Sequence, residues 1–228
     1  MKRSEINREI KKAEEFFAAH GFKLPAFASW TPAEWARHGA EIREIVDCNL
    51  GWDLTDFGRG NFAAEGLLLF TIRNGVAGDS RYPKPYAEKI MISRSEQVTL
   101  THCHETKCED IINRGGGNIL IRVYNSHPDE SVDYESDVTV HTDGRTYTVP
   151  AGTQIRLTPG ESIFIQQYLY HDFEVEPGTG NVLLGEVSQC NDDANDNRFN
   201  PVLEGRFPAI EEDEAPYRLL CTEYPAAK

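Results

Sequence analysis

Thr101-His102-Cys103-His104-Glu105-Thr106-Lys107-Cys108-Glu109 reads as the end of a β-strand that carries a metal site. Side chains two apart on a strand share a face, so His102 and His104 can grip one ion while Cys103 points the other way. Glu109 follows after a four-residue gap, enough for the chain to turn and bring a hard oxygen ligand to the same ion. These ligands need a strand that belongs to a closed or curled sheet, and the flanking sequence supplies one.

From Gly66 onward, short apolar or alternating runs are separated by Gly, Pro, Asn and Asp, the pattern of a β-sandwich or barrel. Strands are predicted over Leu67–Ile72, Lys89–Ser93, Thr99–His104, Asn118–Tyr124 and Val138–His141. Five more are predicted over Thr146–Val149, Gln154–Leu157, Ser162–Gln167, His171–Val175 and Val182–Val187. Asp143-Gly144 marks a tight hairpin, and Pro159-Gly160 and Pro177-Gly178 mark turns. On the N-terminal side the pattern is helical: Ser4 is a plausible N-cap, Ile6, Ile10, Ala13 and Phe17 fall on one face, and Gly21 is a stop. Thr31-Pro32-Ala33-Glu34 combines an N-cap, a Pro at the first helical position and the Glu of a capping box, so a second helix starts there and ends near His38-Gly39. A short helical segment follows from Ala40 to about Asp47. The tail from Asn191 is rich in Asp, Asn, Glu and Pro and is expected to cross the barrel surface or close its mouth. The expected fold is therefore mainly β: one domain, with a helical extension over 1–60, a barrel over 61–190 and a packing tail over 191–228.

The 37 acidic and 23 basic residues give a net charge of −14, which argues against nucleic-acid partners and against an anionic membrane surface. The sequence starts directly in a charged helical pattern, without the apolar stretch of a signal peptide or membrane span, and the expected location is cytoplasmic. Cys48, Cys103, Cys108, Cys190 and Cys221 form an odd set without paired short spacing, the usage of reduced thiols. Cys103 and Cys108 are read as packing residues rather than ligands.

A fourth ligand has to come from another strand. His171 is reached by elimination: His20 and His38 end helices, His127 precedes Pro128 in a loop and His141 lies in the hairpin. His171 follows a turn and a β-rich run, as a returning barrel strand would deliver it.

The pattern His102-x-His104-x-x-x-x-Glu109, followed by Gly115 and Gly116 and then by Pro159-Gly160 and His171, resembles the two motifs of the cupin superfamily. Cupins are jelly-roll β-barrels that hold a metal through three His and one Glu. The second motif departs in spacing, since His171 lies well beyond Gly160. A narrower resemblance runs through Lys107–Gly117, Tyr168–Phe173, Gly185–Ser188, Asn195–Phe199 and Gly205–Pro208, which are similar to the bacterial D-lyxose isomerases along nearly the whole chain. That resemblance implies an aldose–ketose isomerase with a divalent ion, typically manganese, acting on D-lyxose and D-xylulose and often on D-mannose and D-fructose. Cupins often pair through their sheets, so a homodimer is expected.

Isomerisation needs a base for the C–H proton, and Glu186 and Glu204 are the carboxylates chosen for it, each with structural pairing to Arg198 or Arg206 as the other reading. Lys107 lies near the ion by covalent necessity and can stabilise an enediolate or stand in solvent. Lys89, Gln97, Arg198 and Trp52 are expected to touch sugar, with strand-end solvation, tail anchoring and core packing as their alternatives. Two rival functions share these ligands: an iron-dependent dioxygenase, and a non-enzymatic sugar-binding module. A third, a sugar-phosphate isomerase, would need a cationic phosphate pocket, and Arg114 beside the glycine run lacks the rest of a phosphate loop.

Overall fold

The computed structural model describes residues 1–193, 195–203 and 209–225. Helix α1, Arg3–Ala19, buries Ile6, Ile10, Ala13 and Phe17 along one face. An isolated helix of this length is marginal in water, and burying each large apolar side chain contributes about 1.5–3 kcal/mol, so docking rather than propensity fixes it. The helix starts earlier than Ser4 predicts, with Lys2 as its N-cap. A tail carboxylate is the reason: Asp213 accepts from the Ser4 N–H at 2.9 Å and from its hydroxyl at 2.7 Å, taking over the capping task. The Thr31 capping box forms as expected, but α2 is a single turn, Pro32–Trp35, before α3 at Arg43–Asp47.

The strands are β1 Gly51–Thr55, β2 Leu67–Arg73, β3 Tyr86–Ser93, β4 Val98–His104, β5 Glu109–Gly116, β6 Ile119–Ser126 and β7 Val132–Asp133. They continue with β8 Val138–Thr142, β9 Arg145–Val149, β10 Gln154–Leu157, β11 Ser162–Ile165, β12 Tyr170–Val175, β13 Val182–Gln189 and β14 Asn197–Phe199. Eight form one antiparallel sheet in the order β1-β2-β3-β13-β5-β11-β8-β9; the smaller sheet runs β10-β6-β12-β4-β14, with β7 on β6. The fold is mainly β, two curled sheets facing each other as a half-barrel, in agreement with the expected class.

Alternation on the larger sheet separates two cores. Leu69 and Met91 point toward the smaller sheet, where they meet Ile121, Val123 and Phe173. Leu68, Phe70, Ile90 and Ile92 point outward and receive α1. Trp52 belongs to this outer core, which corrects its expected role on sugar. It pairs in register with Phe70, stacks on Phe17 at 6.1 Å and donates its indole N–H to the Ala28 carbonyl at 2.9 Å.

In the glycine run after Glu109, Gly115 and Gly116 complete β5. A Cβ on Gly116 would lie 2.2 Å from the Asn181 carbonyl oxygen, so only glycine lets the backbone before β13 approach. Residues 209–225 run along α1 and β1. Arg3, 1 % exposed, donates to Glu212 and Glu223 of this stretch, and the Cys221 N–H donates to the Trp52 carbonyl at 2.8 Å. Among the described residues no helix is long and apolar enough to cross a membrane.

Candidate active site

β4 and β12 are neighbours in the smaller sheet, with His171 opposite His102. Strand alternation turns His102 and His104 into the half-barrel and Cys103 away, into a cluster with Val132 and Tyr170. Ring nitrogens of His102, His104 and His171 lie within 4.8 Å of one another, a group able to hold a metal ion. Nδ1 of His102 is 2.7 Å from the Leu100 carbonyl, and Nδ1 of His171 is 3.1 Å from the Leu169 carbonyl. A carbonyl only accepts, so each Nδ1 carries a proton, and each Nε2 keeps a lone pair for a cation.

Glu109 opens β5 on the opposite, larger sheet, so residues 105–108 cross from one sheet to the other. Its Oε2 lies 3.3 Å from His104 Nε2 and its Oε1 lies 3.5 Å from His171 Nε2. His104 Nε2 and His171 Nε2 are buried without a hydrogen-bond partner, and they face the Glu109 carboxylate, whose Oε2 is ion-paired with Lys107. Each such orphan costs about 1–3 kcal/mol, and two imidazole nitrogens that converge on one carboxylate are what a cation would satisfy together. Three imidazoles with one carboxylate suit a divalent transition ion.

The electrostatics fit that reading. Burial, reinforced by the neighbouring His171 and His104, holds the His102 pKa well below the ordinary imidazole value. Burial also lowers that of His104, with Lys107 adding to the effect and Glu109 opposing it. For Glu109 burial works upward, but the Lys107 ammonium and His104 outweigh it and hold the carboxyl well below its usual range. His102, His104 and Glu109 are therefore ready to bind without losing protons.

Behind Glu109 stands a chain of buried charges. Lys107 Nζ is 2.8 Å from Glu109 Oε2 and 2.9 Å from Glu186 Oε1, and Lys89 Nζ is 3.3 Å from the same Glu186 oxygen. Burial works to lower the Lys107 pKa; the two carboxylates override it and raise it above the ordinary lysine range, so Lys107 is a fixed cation and a donor. Ser188 donates to Glu186 at 3.1 Å. Lys89 and Lys107 also donate to Asn191 Oδ1, at 2.6 and 3.1 Å.

The cavity thus brings together His102, His104, Glu109, Lys107, Glu186 and Lys89. Three other expected residues stand elsewhere or outside. Gln97 is buried with its amide donating to the Phe62 carbonyl at 2.5 Å, a structural bond that removes it from the cavity lining. Arg198, on β14, pairs with Glu105 at 2.5 Å and Glu130 at 2.9 Å, and lines an adjoining cleft. Glu204 lies outside the described residues. The sequence reading missed Asn191, Asn197 and Phe199, which the tail contributes to the cavity or its lysines. The signals for them were the density of Asn and Asp in that tail and, for Asn197 and Phe199, the family resemblance of Asn195–Phe199.

Curled sheets with a three-histidine cluster facing buried acid–ammonium pairs define a cupin-like protein with a site able to hold a metal. Residues 1–224 match the family described as D-lyxose isomerase. A D-lyxose/D-mannose isomerase of Escherichia coli O157:H7 is 50 % identical over 225 residues, 98 % of each chain, and one of Serratia proteamaculans is 48 % identical over the same share. The chain belongs to the D-lyxose isomerase family and is an aldose–ketose isomerase. That membership sets aside the dioxygenase and the non-enzymatic readings. Two solved L-ribose isomerases share its fold: that of Cellulomonas parahominis with L-ribose, at a TM-score of 0.59, and that of Geodermatophilus obscurus, at 0.60. Each is 16 % identical and covers 92 % of this chain and 98 % of its own.

Proposed function

We propose that this enzyme interconverts D-lyxose with D-xylulose, and D-mannose with D-fructose, using a divalent ion, manganese, held by His102, His104, Glu109 and His171. The observation that carries the proposal is the single cavity in which orphaned ligand atoms face the Lys107–Glu186–Lys89 chain. The names of the relatives supply the sugars. When bound, the ion supplies Lewis-acid stabilisation of the two adjacent sugar oxygens.

Moving the carbonyl from C1 to C2 takes a proton from C2 and returns it to C1, while a proton passes between the oxygens. Two carboxylates that are not ligands, Glu186 and Asp193, line the cavity, and Glu186, which accepts from both Lys107 and Ser188, suits the carrier of the C–H proton. Glu204 is proposed beside it as the second carboxylate of that transfer. Lys107, held protonated, donates to the oxygen on which charge develops. Lys89 is proposed to bind a hydroxyl of the sugar, since its ammonium reaches the same cavity. Leu67, Met91 and Phe173 form an apolar wall, which excludes water from the transfer. Arg198 would meet the sugar only from the adjoining cleft. None of the five cysteines is in a disulfide, which supports a cytoplasmic enzyme, and a homodimer is proposed with it.

Stripped protein reloaded with one divalent ion at a time should regain both conversions, most with manganese. Full activity after complete chelation would sink the metal part. Isomerisation in deuterium oxide should label the sugar at the transferred position in wild type, and Glu186→Gln or Glu204→Gln should keep the ion and stop the labelling.

A further inference from the structure

One imidazole of the three has no backbone partner. His102 and His171 each have Nδ1 against the carbonyl two residues earlier, whereas both ring nitrogens of His104 are buried and unpartnered. His104 Nδ1 instead faces Asp196 Oδ2 at 3.7 Å, and that oxygen is also buried and unpartnered. The two side chains are 4 % and 2 % exposed. The other oxygen of Asp196 is anchored: it accepts from the Thr106 N–H and the Thr106 hydroxyl, each at 2.6 Å. The backbone holds the arrangement as well, because Asn197 is paired with His104 in the β14–β4 ladder and the Asp196 carbonyl accepts from the Glu105 N–H at 3.3 Å.

We infer that Asp196 is the positioning residue of His104, accepting its Nδ1–H so that Nε2 presents a lone pair to the ion. The inference rests on the metal site proposed above. At 3.7 Å the pair is longer than a hydrogen bond, yet two orphaned atoms facing each other in a dry site are satisfied together by a small ring rotation. The competition makes the carboxylate necessary. Glu109 lies 3.3 Å from His104 Nε2 and would draw the ring proton there, which would block ligation. A second carboxylate on the far side pulls the proton to Nδ1, fixes the tautomer and makes the ring a better donor. His102 and His171 face no such contest over Nδ1, because backbone carbonyls settle it. Asp196 also comes from the tail, so docking of the tail and affinity for the ion are one equilibrium.

The test compares full-length wild type, Asp196→Asn and Thr106→Val for Mn²⁺ affinity by competition with a chelating indicator, and for unfolding temperature without the ion. Asp196→Asn keeps the shape but offers an amide in place of an anion, and should weaken Mn²⁺ binding about 10–100-fold while the ion-free unfolding temperature stays close to wild type. Thr106→Val keeps the anion and should weaken binding less than Asp196→Asn. Asp196→Asn with affinity within about twofold of wild type would overturn the inference, as would a loss of ion-free stability with affinity unchanged. Nitrogen NMR of the imidazoles in Zn²⁺-loaded wild type decides the matter without any variant. A protonated Nδ1 on His104 supports the role, and a bare Nδ1 overturns it. If wild type itself binds no divalent ion, the metal site falls and this inference with it; normal binding unmoved by Asp196→Asn removes this inference alone.

Discussion

The two sheets face the same cavity with opposite chemistry. The smaller sheet offers His102, His104 and His171; burial holds the first two below their ordinary pKa, so they are neutral donors. The larger sheet and the loop entering it offer full charges in contact: Glu109, Lys107, Glu186 and Lys89. Neutral imidazoles leave most of a bound cation's charge for the substrate oxygens. Buried charges survive only because each touches its opposite. On the function proposed above, one sheet would hold the ion and the other would move or stabilise protons, and the two functions should come apart under mutation.

The sharpest break is on the smaller sheet. His104→Ala or His171→Ala should abolish the bound ion, read as metal content, and lower turnover by at least about 10³-fold; a variant with metal and activity intact would dissolve the distinction. On the larger sheet, Glu186→Gln should lower kcat by about 10²–10⁴-fold with metal content unchanged. Lys107→Met connects the two sides. It strips Glu109 and Glu186 of a buried partner and should cost about 3 kcal/mol in urea unfolding, a loss that shrinks when saturating divalent ion takes over the charge of Glu109. The smallest effect tests the outer core. Trp52→Phe loses the hydrogen bond to Ala28 and some packing, and should cost about 1–2 kcal/mol with KM for sugar unchanged; a raised KM would return Trp52 to the substrate.

What could be read from the sequence was local. His102 and His104 are legible because a strand repeats every two residues, and Lys107 because covalent distance ties it to the ligands on either side. β1 escaped because both its faces are buried and it has no alternation to detect. β5 escaped because its first residues are a ligand and an aspartate and its last are glycines, so it resembles a loop. β14 is three residues in a polar tail, and its pairing with β4 exists only in three dimensions. The same holds for the site. Glu186 and Lys89 were nameable as strand residues, but their contact is a matter of register between β3 and β13. Gln97 and Trp52 carry side chains that suit sugar as well as they suit a buried backbone carbonyl, and only the position of Phe62 and Ala28 decides between them.

The register of β3 against β13, with Lys89 opposite Glu186, also bears on how the chain avoids wrong folds. Both neighbours of β3 are antiparallel, and Ile90 and Ile92 on its other face would be accepted by many apolar partners. A slip of one residue inverts a strand's faces. It would drive the Lys89 ammonium among Ile6, Phe17 and Phe70, apolar side chains that could not neutralise it. An unpaired charge there costs several kcal/mol, a large fraction of a domain's whole stability. The ion pair proposed to serve the sugar thus also acts as a proofreading device, penalising a slipped β3 before any substrate arrives.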